Sequence, residues 1–168
     1  MASTTLSDAA LARLAMLAGR ELLARDQRVA TAESCTGGWI AKALTDVAGS
    51  SDWFEAGFIV YSNAAKVHQL GVSRKLLEGD GAVSETVVRA MAQGALRETS
   101  ASVAVAVSGI AGPGGAVPGK PVGTVWLCWA RRGTKVVSTR SEQQHFRGDR
   151  DMVRRKTVRR ALQGLRWR

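Results

Sequence analysis

The stretch TAESCTGGWI, Thr31 to Ile40, decides how this chain is to be read. Its first half has the composition of a strand end and its second half that of a helix start. Between them lie Glu33, Ser34, Cys35, Thr36, Gly37 and Gly38: an acid, two hydroxyls, a thiol and two glycines. A plain connection needs none of the nucleophiles. A strand that hands over to a helix through such a junction points to an α/β sheet carrying chemistry at the ends of its strands.

Outward from this junction the pattern repeats. Toward the N-terminus, Leu11, Leu14, Ala15, Ala18 and Leu22 have helical spacing, with Ser7 placed as N-cap and Leu6 as its staple to Leu11. RVATAES is a short strand, and residues 37–45 read as a helix. GFIVYS (57–62) is a second strand, followed at once by the helical NAAKVHQL. Ser84 caps a longer helix with Val88, Met91, Ala92 and Ala95 on one face. SVAVAVS (102–108) reads as a buried strand. GTVWLCWAR and TKVVSTRSE pair as a hairpin around RRG, and a basic helix starts at about Asp149. Strands alternating with helices, then a hairpin, predict a layered α/β fold with a mixed, mostly parallel sheet.

The 168 residues suit one domain, and a 45% hydrophobic content argues against disorder. The longest apolar runs, such as SVAVAVSGIAG, fall short of the roughly 20 residues a membrane span needs. The acid-poor N-terminus has transit-peptide composition, but its core-facing helical pattern is the better reading. Two cysteines, Cys35 and Cys128, suggest neither a disulfide framework nor a metal site, and a cytoplasmic protein is the default. No cofactor and no metal is called for.

The net charge is +10, and +7 of it falls in residues 140–168, where ten Lys/Arg stand against three Asp/Glu. That excess fits an anionic ligand, a nucleic-acid face or simply a solvated basic helix, and for most of these arginines the last is preferred. A nucleic-acid partner ranks lowest, because no recognised module accompanies the charge.

Three strands end in serine: Ser34, Ser62 and Ser108. Parallel strands would bring these ends together on one edge, and glycines beside two of them let main-chain N–H groups approach a ligand. A serine nucleophile needs a base. His68 lies in a helix with apolar and amide neighbours, and His145 lies in a polar linker, so a Ser-His-Asp triad is disfavoured. Lys66, one turn into the helix after the second strand, is the alternative. It would act as base if desolvated there and faced by Arg150; otherwise it is an exposed helix lysine. Cys35 is the competing nucleophile, but without a histidine it reads as a small core residue.

The loop GIAGPGGAVPGKPVG (109–123) matches neither a dinucleotide nor a phosphate-loop motif, yet its length alone points to function. In RGDRDMVRR, Asp149 is a helix cap, while Arg150 sits in the first turn where the helix dipole disfavours it. A phosphate would explain Arg150, and Arg154 or Arg155 must approach the sheet. Tyr61 ends a strand at the polar edge. Trp53 and Trp126 read as core; Trp39, Trp129 and Trp167 have no assigned place.

Taken in order, TAESCTGG, AGSSDWFEAGFIVYSNAAK, GAVSE, SGIAGPGG, KPVGTVW and FRGDRDMVR resemble the C-terminal domain family of the competence/damage-inducible protein CinA, over about residues 30–161. The stand-alone version of that domain is a nicotinamide-nucleotide amidase. The resemblance implies one domain over residues 1–168, without the N-terminal domain of the larger CinA proteins. It also implies a three-layer α/β/α sandwich and hydrolysis of nicotinamide mononucleotide to nicotinate mononucleotide and ammonia. By the same resemblance Ser34 would be the nucleophile, and Lys66 with Tyr61 would handle protons. N–H groups near Thr36, Gly37 and Gly38, or around Ser108 and Gly109, would hold the oxyanion, and Arg150 with a neighbour such as Arg154 would hold the 5′-phosphate. The loop departs from the family at Ala116 and Val117, where polar residues are expected. The alternative is a non-catalytic nucleotide-binding or regulatory module of the same family. The partner expected is a small-molecule nucleotide and not a membrane. Oligomeric state is left open, with a homodimer among the options of small α/β enzymes.

Overall fold

In a computed structural model that describes residues 6–166, the strand leading into the junction is the centre of the sheet. This strand, β1 (Val29–Glu33), is buried at all five positions. It is flanked by β2 (Phe54–Ile59) and β3 (Val103–Gly109), both parallel to it. Next come β4 (Thr124–Arg132) and β5 (Val137–His145), giving the order β2-β1-β3-β4-β5. β4 is antiparallel to both its neighbours, so four strands run one way and β4 alone runs back. Glu33 pairs with Ile59 on one side and Val107 on the other. The carboxyl ends of the three parallel strands are therefore level, and Ser34, Val60 and Ser108 stand along one edge.

Helices cover both faces. Helices α1 (Asp8–Leu23), α2 (Trp39–Thr45) and α6 (Arg150–Gly164) pack with Val29, Val103, Val105, Val107, Leu127 and Trp129. Helices α3 (Asn63–Leu70), α4 (Arg74–Gly79) and α5 (Glu85–Arg97) pack with Ala30, Ala32, Ala104, Ala106 and Cys128. The two-residue period of a strand sends the valines of β3 one way and its alanines the other. The alanine side is shallow, so the bulkier Val88, Met91 and Leu96 of α5 fill that layer. The result is the expected three-layer α/β/α sandwich.

Three caps, Ser7, Ser84 and Asp149, stand where the sequence puts them, and Ser62, read as a strand-end hydroxyl, is a fourth. Ser7 Oγ accepts from Ala10 N, Ser62 Oγ from Ala65 N, Ser84 Oγ from Val87 N and Asp149 Oδ1 from Met152 N. Such caps are each worth about 1 kcal/mol. Other boundaries differ from the sequence reading. Helix α2 starts at Trp39 rather than residue 37, because Gly37 (φ 62°) and Gly38 (φ 93°) are both left-handed. β2 lies at Phe54–Ile59 rather than 57–62, since a short 3₁₀ turn at Ser50–Asp52 feeds the strand earlier. Helix α4 is too short to carry a readable period. β5 continues to His145, so the stretch read as a linker is a strand paired with Thr124.

Trp53 is buried, and Trp126 is half-buried on the α5 side. Trp129 is buried too, its indole donating to Ala161 O at 2.9 Å. Trp39 lies under two guanidinium groups, with Arg154 and Arg155 at 5.1 and 4.7 Å from its ring centre. Trp167 lies outside the described residues.

Candidate active site

β1 ends at Glu33, whose side chain turns back into the protein and is fully buried. Glu33 Oε2 accepts from Thr36 Oγ1 (2.6 Å), Gly38 N (3.1 Å) and Ile40 N (3.0 Å), and Oε1 accepts from Ala41 N (2.8 Å). The N-cap of α2 is Gly38, which has no side chain to offer. Glu33 supplies the missing acceptor for the unpaired N–H groups of the first helical turn. Gly37 N donates to Ser34 O at 3.1 Å and closes the turn.

Ser34 is 8% exposed, and its Oγ lies 3.2 Å from Lys66 Nζ. Lys66 is in the first turns of α3, and helical side chains lean toward the N-terminus of their helix. Its amine therefore reaches back over the end of β2, to Val60 O (2.9 Å) and Tyr61 O (3.1 Å). Lys66 is 1% exposed. Burial pulls its pKa below the ordinary 10.5, because a charged ammonium loses its hydration there. Arg150 is not the cause, contrary to the sequence reading: its guanidinium is turned to Gly112 O and to the Tyr61 phenol.

A neutral lysine amine has two hydrogens and one lone pair. Two carbonyls take the hydrogens, which leaves the lone pair for the Ser34 hydroxyl. The three contacts equally suit an ammonium donating to all three oxygens; when the amine loses a proton the bond to Ser34 Oγ reverses and the hydroxyl becomes the donor.

Cys35 is buried, and its thiol pKa is pushed up to about 12, by burial first and by the nearby Glu33 second. It is a thiol held away from the thiolate form, as a core residue would be. Arg154 reaches in from α6 and donates Nε to Cys35 O (3.2 Å) and Nη2 to Thr36 O (2.9 Å). These two bonds hold the main chain of the turn that follows Ser34.

A cavity of about 200 Å³ lies beside the turn that follows Ser34, lined by Cys35, Tyr61, Arg150 and the glycine-rich loop from Gly109 to Gly115; Ser34 and Lys66 are not among its lining residues. Arg150 Nη1 donates to Gly112 O (2.8 Å) and Nη2 to Tyr61 Oη (3.2 Å), which puts both residues at the mouth. Tyr61 is 61% exposed.

Several expected groups are engaged elsewhere. Ser108 Oγ donates to Ala82 O at 2.7 Å, and exposed Ser62 is a helix cap, so only one of the three strand-end hydroxyls meets Lys66. Thr36 commits its hydroxyl to Glu33 and its carbonyl to Arg154. Gly38 lies where a Cβ would meet Ile59 Cδ1 at 2.8 Å. His68 and His145 are both exposed.

The sequence reading missed Glu33 as a structural acceptor and Arg154 as a clamp. The signal for Glu33 was present: a helix opening on Gly-Trp has no capping side chain of its own, so another acceptor must serve. Arg154 was flagged only as an arginine that could approach the sheet; its partners, main-chain carbonyls far away in sequence, left no signal.

Much of the C-terminal positive charge is paired or stacked. Arg160 meets Glu142 at 2.5 Å, Arg166 meets Glu21 at 2.6 Å and Arg155 meets Asp151 at 2.6 Å. Arg140 and Arg160 lie over Trp129. Among the described residues there is no cluster of three His, Cys, Asp or Glu suited to a metal ion. No described helix is long and apolar enough to cross a membrane.

These features define an α/β protein with a buried serine–lysine pair at the carboxyl edge of its sheet and a glycine-walled cavity beside the turn that follows the serine. The chain belongs to the CinA C-terminal domain family, whose profile matches residues 11–168. It is 55% identical to a nicotinamide-nucleotide amidohydrolase PncC of Pseudomonas putida, over 90% of this chain and 92% of that protein. It is 51% identical to the protein of the same name from Escherichia coli K12, over 95% of each chain. The solved competence/damage inducible protein CihA of Agrobacterium tumefaciens has the same fold, with a TM-score of 0.86 and 43% identity over 95% of this chain and 94% of that one.

Proposed function

We propose that this chain is a nicotinamide-nucleotide amidase, hydrolysing the carboxamide of nicotinamide mononucleotide to nicotinate mononucleotide and ammonia. We take residues 1–168 as one domain of this kind. Two lines of support meet: more than 50% identity to proteins of that name across most of the chain, and a serine paired with a dehydrated lysine. The Lys66 geometry carries the mechanistic part.

Lys66 takes the proton of the Ser34 hydroxyl as Oγ attacks the amide carbon. The negative charge that forms on the amide oxygen is met by main-chain N–H at the Gly109 end of β3, which walls the cavity. The Gly37 amide is already given to Ser34 O, so the turn itself contributes less. The protonated Lys66 passes its proton to the leaving nitrogen, ammonia departs and an acyl ester remains on Ser34. A water molecule, deprotonated by Lys66, then attacks the ester, and the proton returns to Ser34 as nicotinate mononucleotide leaves.

Arg150 holds the 5′-phosphate at the mouth with its planar fork. Tyr61 serves twice, its carbonyl orienting Lys66 and its phenol orienting Arg150. Thr36, Gly37, Gly38, Arg154 and Ser108 shape the walls and the turn. Two buried free cysteines suit a reducing compartment, and we place the protein in the cytoplasm.

The test is direct. Purified protein incubated with nicotinamide mononucleotide releases ammonia and nicotinate mononucleotide in equal amounts. Absence of both products from folded protein would overturn the proposal.

A further inference from the structure

The nucleophile turn is held by a buried acid that makes no contact with the reacting atoms. Glu33 accepts four hydrogen bonds, from one hydroxyl and three main-chain amides, all of them neutral donors. Three of the four converge on Oε2. The main chain of the same residue is fixed as well, since Val60 N donates to Glu33 O at 2.9 Å. Val60 O in turn is one of the two carbonyls that hold Lys66. Glu33 therefore links both halves of the pair. Its carbonyl ties it to the strand end that orients the base, and its carboxylate bends the following turn that carries the nucleophile. Gly37 and Gly38 can take the left-handed conformations this bend requires.

We infer that Glu33 is a positioning residue for the Ser34–Lys66 pair, acting through Thr36 and the first amides of α2. This inference rests on the proposed serine–lysine chemistry and assigns Glu33 no proton transfer. Neither glutamine nor a shorter acid reproduces the four bonds. The glutamine amide must set an N–H against at least one of the donors that the carboxylate accepts. Removing the Thr36 hydroxyl loosens the same knot from its other side.

The experiment compares wild type with Glu33→Gln, Thr36→Val and Thr36→Ser. Three readouts are taken: kcat and KM for the mononucleotide, the rate at which a fluorophosphonate labels Ser34, and the pH dependence of both rates. Displacement of a reacting group by a fraction of an ångström to 1 Å lowers kcat by up to about 100-fold. Glu33→Gln and Thr36→Val are therefore expected to lower kcat and the labelling rate together by about 10- to 100-fold, with KM changed less than about twofold. Thr36→Ser, which keeps the hydroxyl, recovers most of the loss. The pH of half-maximal rate stays where it is in wild type, because burial sets the Lys66 shift. The titratable groups around the pair are Cys35 on the turn, Tyr61 after β2, and Arg150 and Arg154 on α6, and all are untouched in these variants.

Wild-type kcat and labelling in both Glu33→Gln and Thr36→Val would overturn the inference. So would a shifted pH midpoint at full rate, which would make Glu33 an electrostatic partner of Lys66. If Glu33→Gln fails to fold, Thr36→Val alone decides. Absence of ammonia release in wild type removes the proposed function, yet the labelling rates still judge Glu33. If the probe does not label wild type either, crystal structures decide: an unchanged Ser34–Lys66 contact in the variants overturns the inference, and a separated pair supports it.

Discussion

Lys66 Nζ lies 3.2 Å from Ser34 Oγ, and its remaining polar neighbours are two main-chain carbonyls rather than a carboxylate. A lysine so placed is uncharged at lower pH than an exposed one, because burial outweighs what the neighbouring oxygens and Cys35 return to the ammonium.

Activity should therefore rise with pH as Lys66 loses its proton, and the rise should be complete below the ordinary lysine range near 10.5. A pH series of kcat/KM for the mononucleotide checks this. Lys66→Arg, which cannot deprotonate, should be inactive throughout. The same shift has a stability signature. The folded-state pKa is lowered, so the unfolded chain binds more protons between that value and 10.5. The cost of the buried charge is full below the folded value and relieved as pH climbs toward 10.5. Denaturant unfolding of wild type against Lys66→Met should show the difference moving in favour of wild type as pH increases.

Ser34 and Cys35 are adjacent, but Ser34 Oγ meets Lys66 while the Cys35 thiol is buried with a raised pKa. Ser34→Ala should lower kcat by more than ~10³-fold, while Cys35→Ala keeps most of it. With its thiol pKa near 12 and its side chain buried, Cys35 should react with a disulfide reagent only as the protein unfolds. Rapid modification of native Cys35 together with loss of activity would transfer the nucleophile role.

Arg150 stands at the cavity mouth, bonded among the described residues to a carbonyl and a phenol. Arg150→Ala should raise KM for the mononucleotide by about 10- to 100-fold, the worth of one charge-assisted contact. With the dephosphorylated nucleoside, variant and wild type should converge. Equal losses on both substrates would take the phosphate away from Arg150.

Gly164 lies on α6 against the buried Trp129 ring, where an added Cβ would meet Trp129 Cε2 at 2.0 Å. The indole is held by its bond to Ala161 O, so it has no free direction in which to move. Gly164→Ala should cost about 1–3 kcal/mol of stability, read as a lowered thermal midpoint.

That Ser34 and Lys66 share one edge of the sheet was legible in the sequence, although spacing alone left Lys66 evenly between a base and an exposed helix lysine. Ser34 follows an apolar strand, and Lys66 comes one turn into a helix that starts where the next strand stops. The burial of β3 was legible from its composition, whereas the three-layer arrangement came from the family resemblance; the alternation of Val103 to Val107 with alanines shows its purpose only in the structure, where the two sets face different helix layers. What was not legible depended on direction. Ser108 and Ser62 sit at the right edge, but one hydroxyl faces Ala82 O and the other caps α3. Arg154 was sensed as misplaced on its helix, yet its partners are carbonyls more than a hundred positions away. Glu33 read as one polar residue among several, because a strand-end acid usually faces solvent; here the side chain folds inward to serve a helix that begins with glycine.

The absence of a carboxylate among the contacts of Lys66 separates the two halves of the site by their response to ionic strength. Dissolved ions screen exposed charges over about 8–10 Å but scarcely affect a base tuned by dehydration. Arg150, at the surface, is open to that screening. Added sodium chloride should weaken capture of the mononucleotide, seen as a rising KM, while kcat holds steady. One titration with ordinary salt would thus read the recognition and the chemistry of this site as independent quantities.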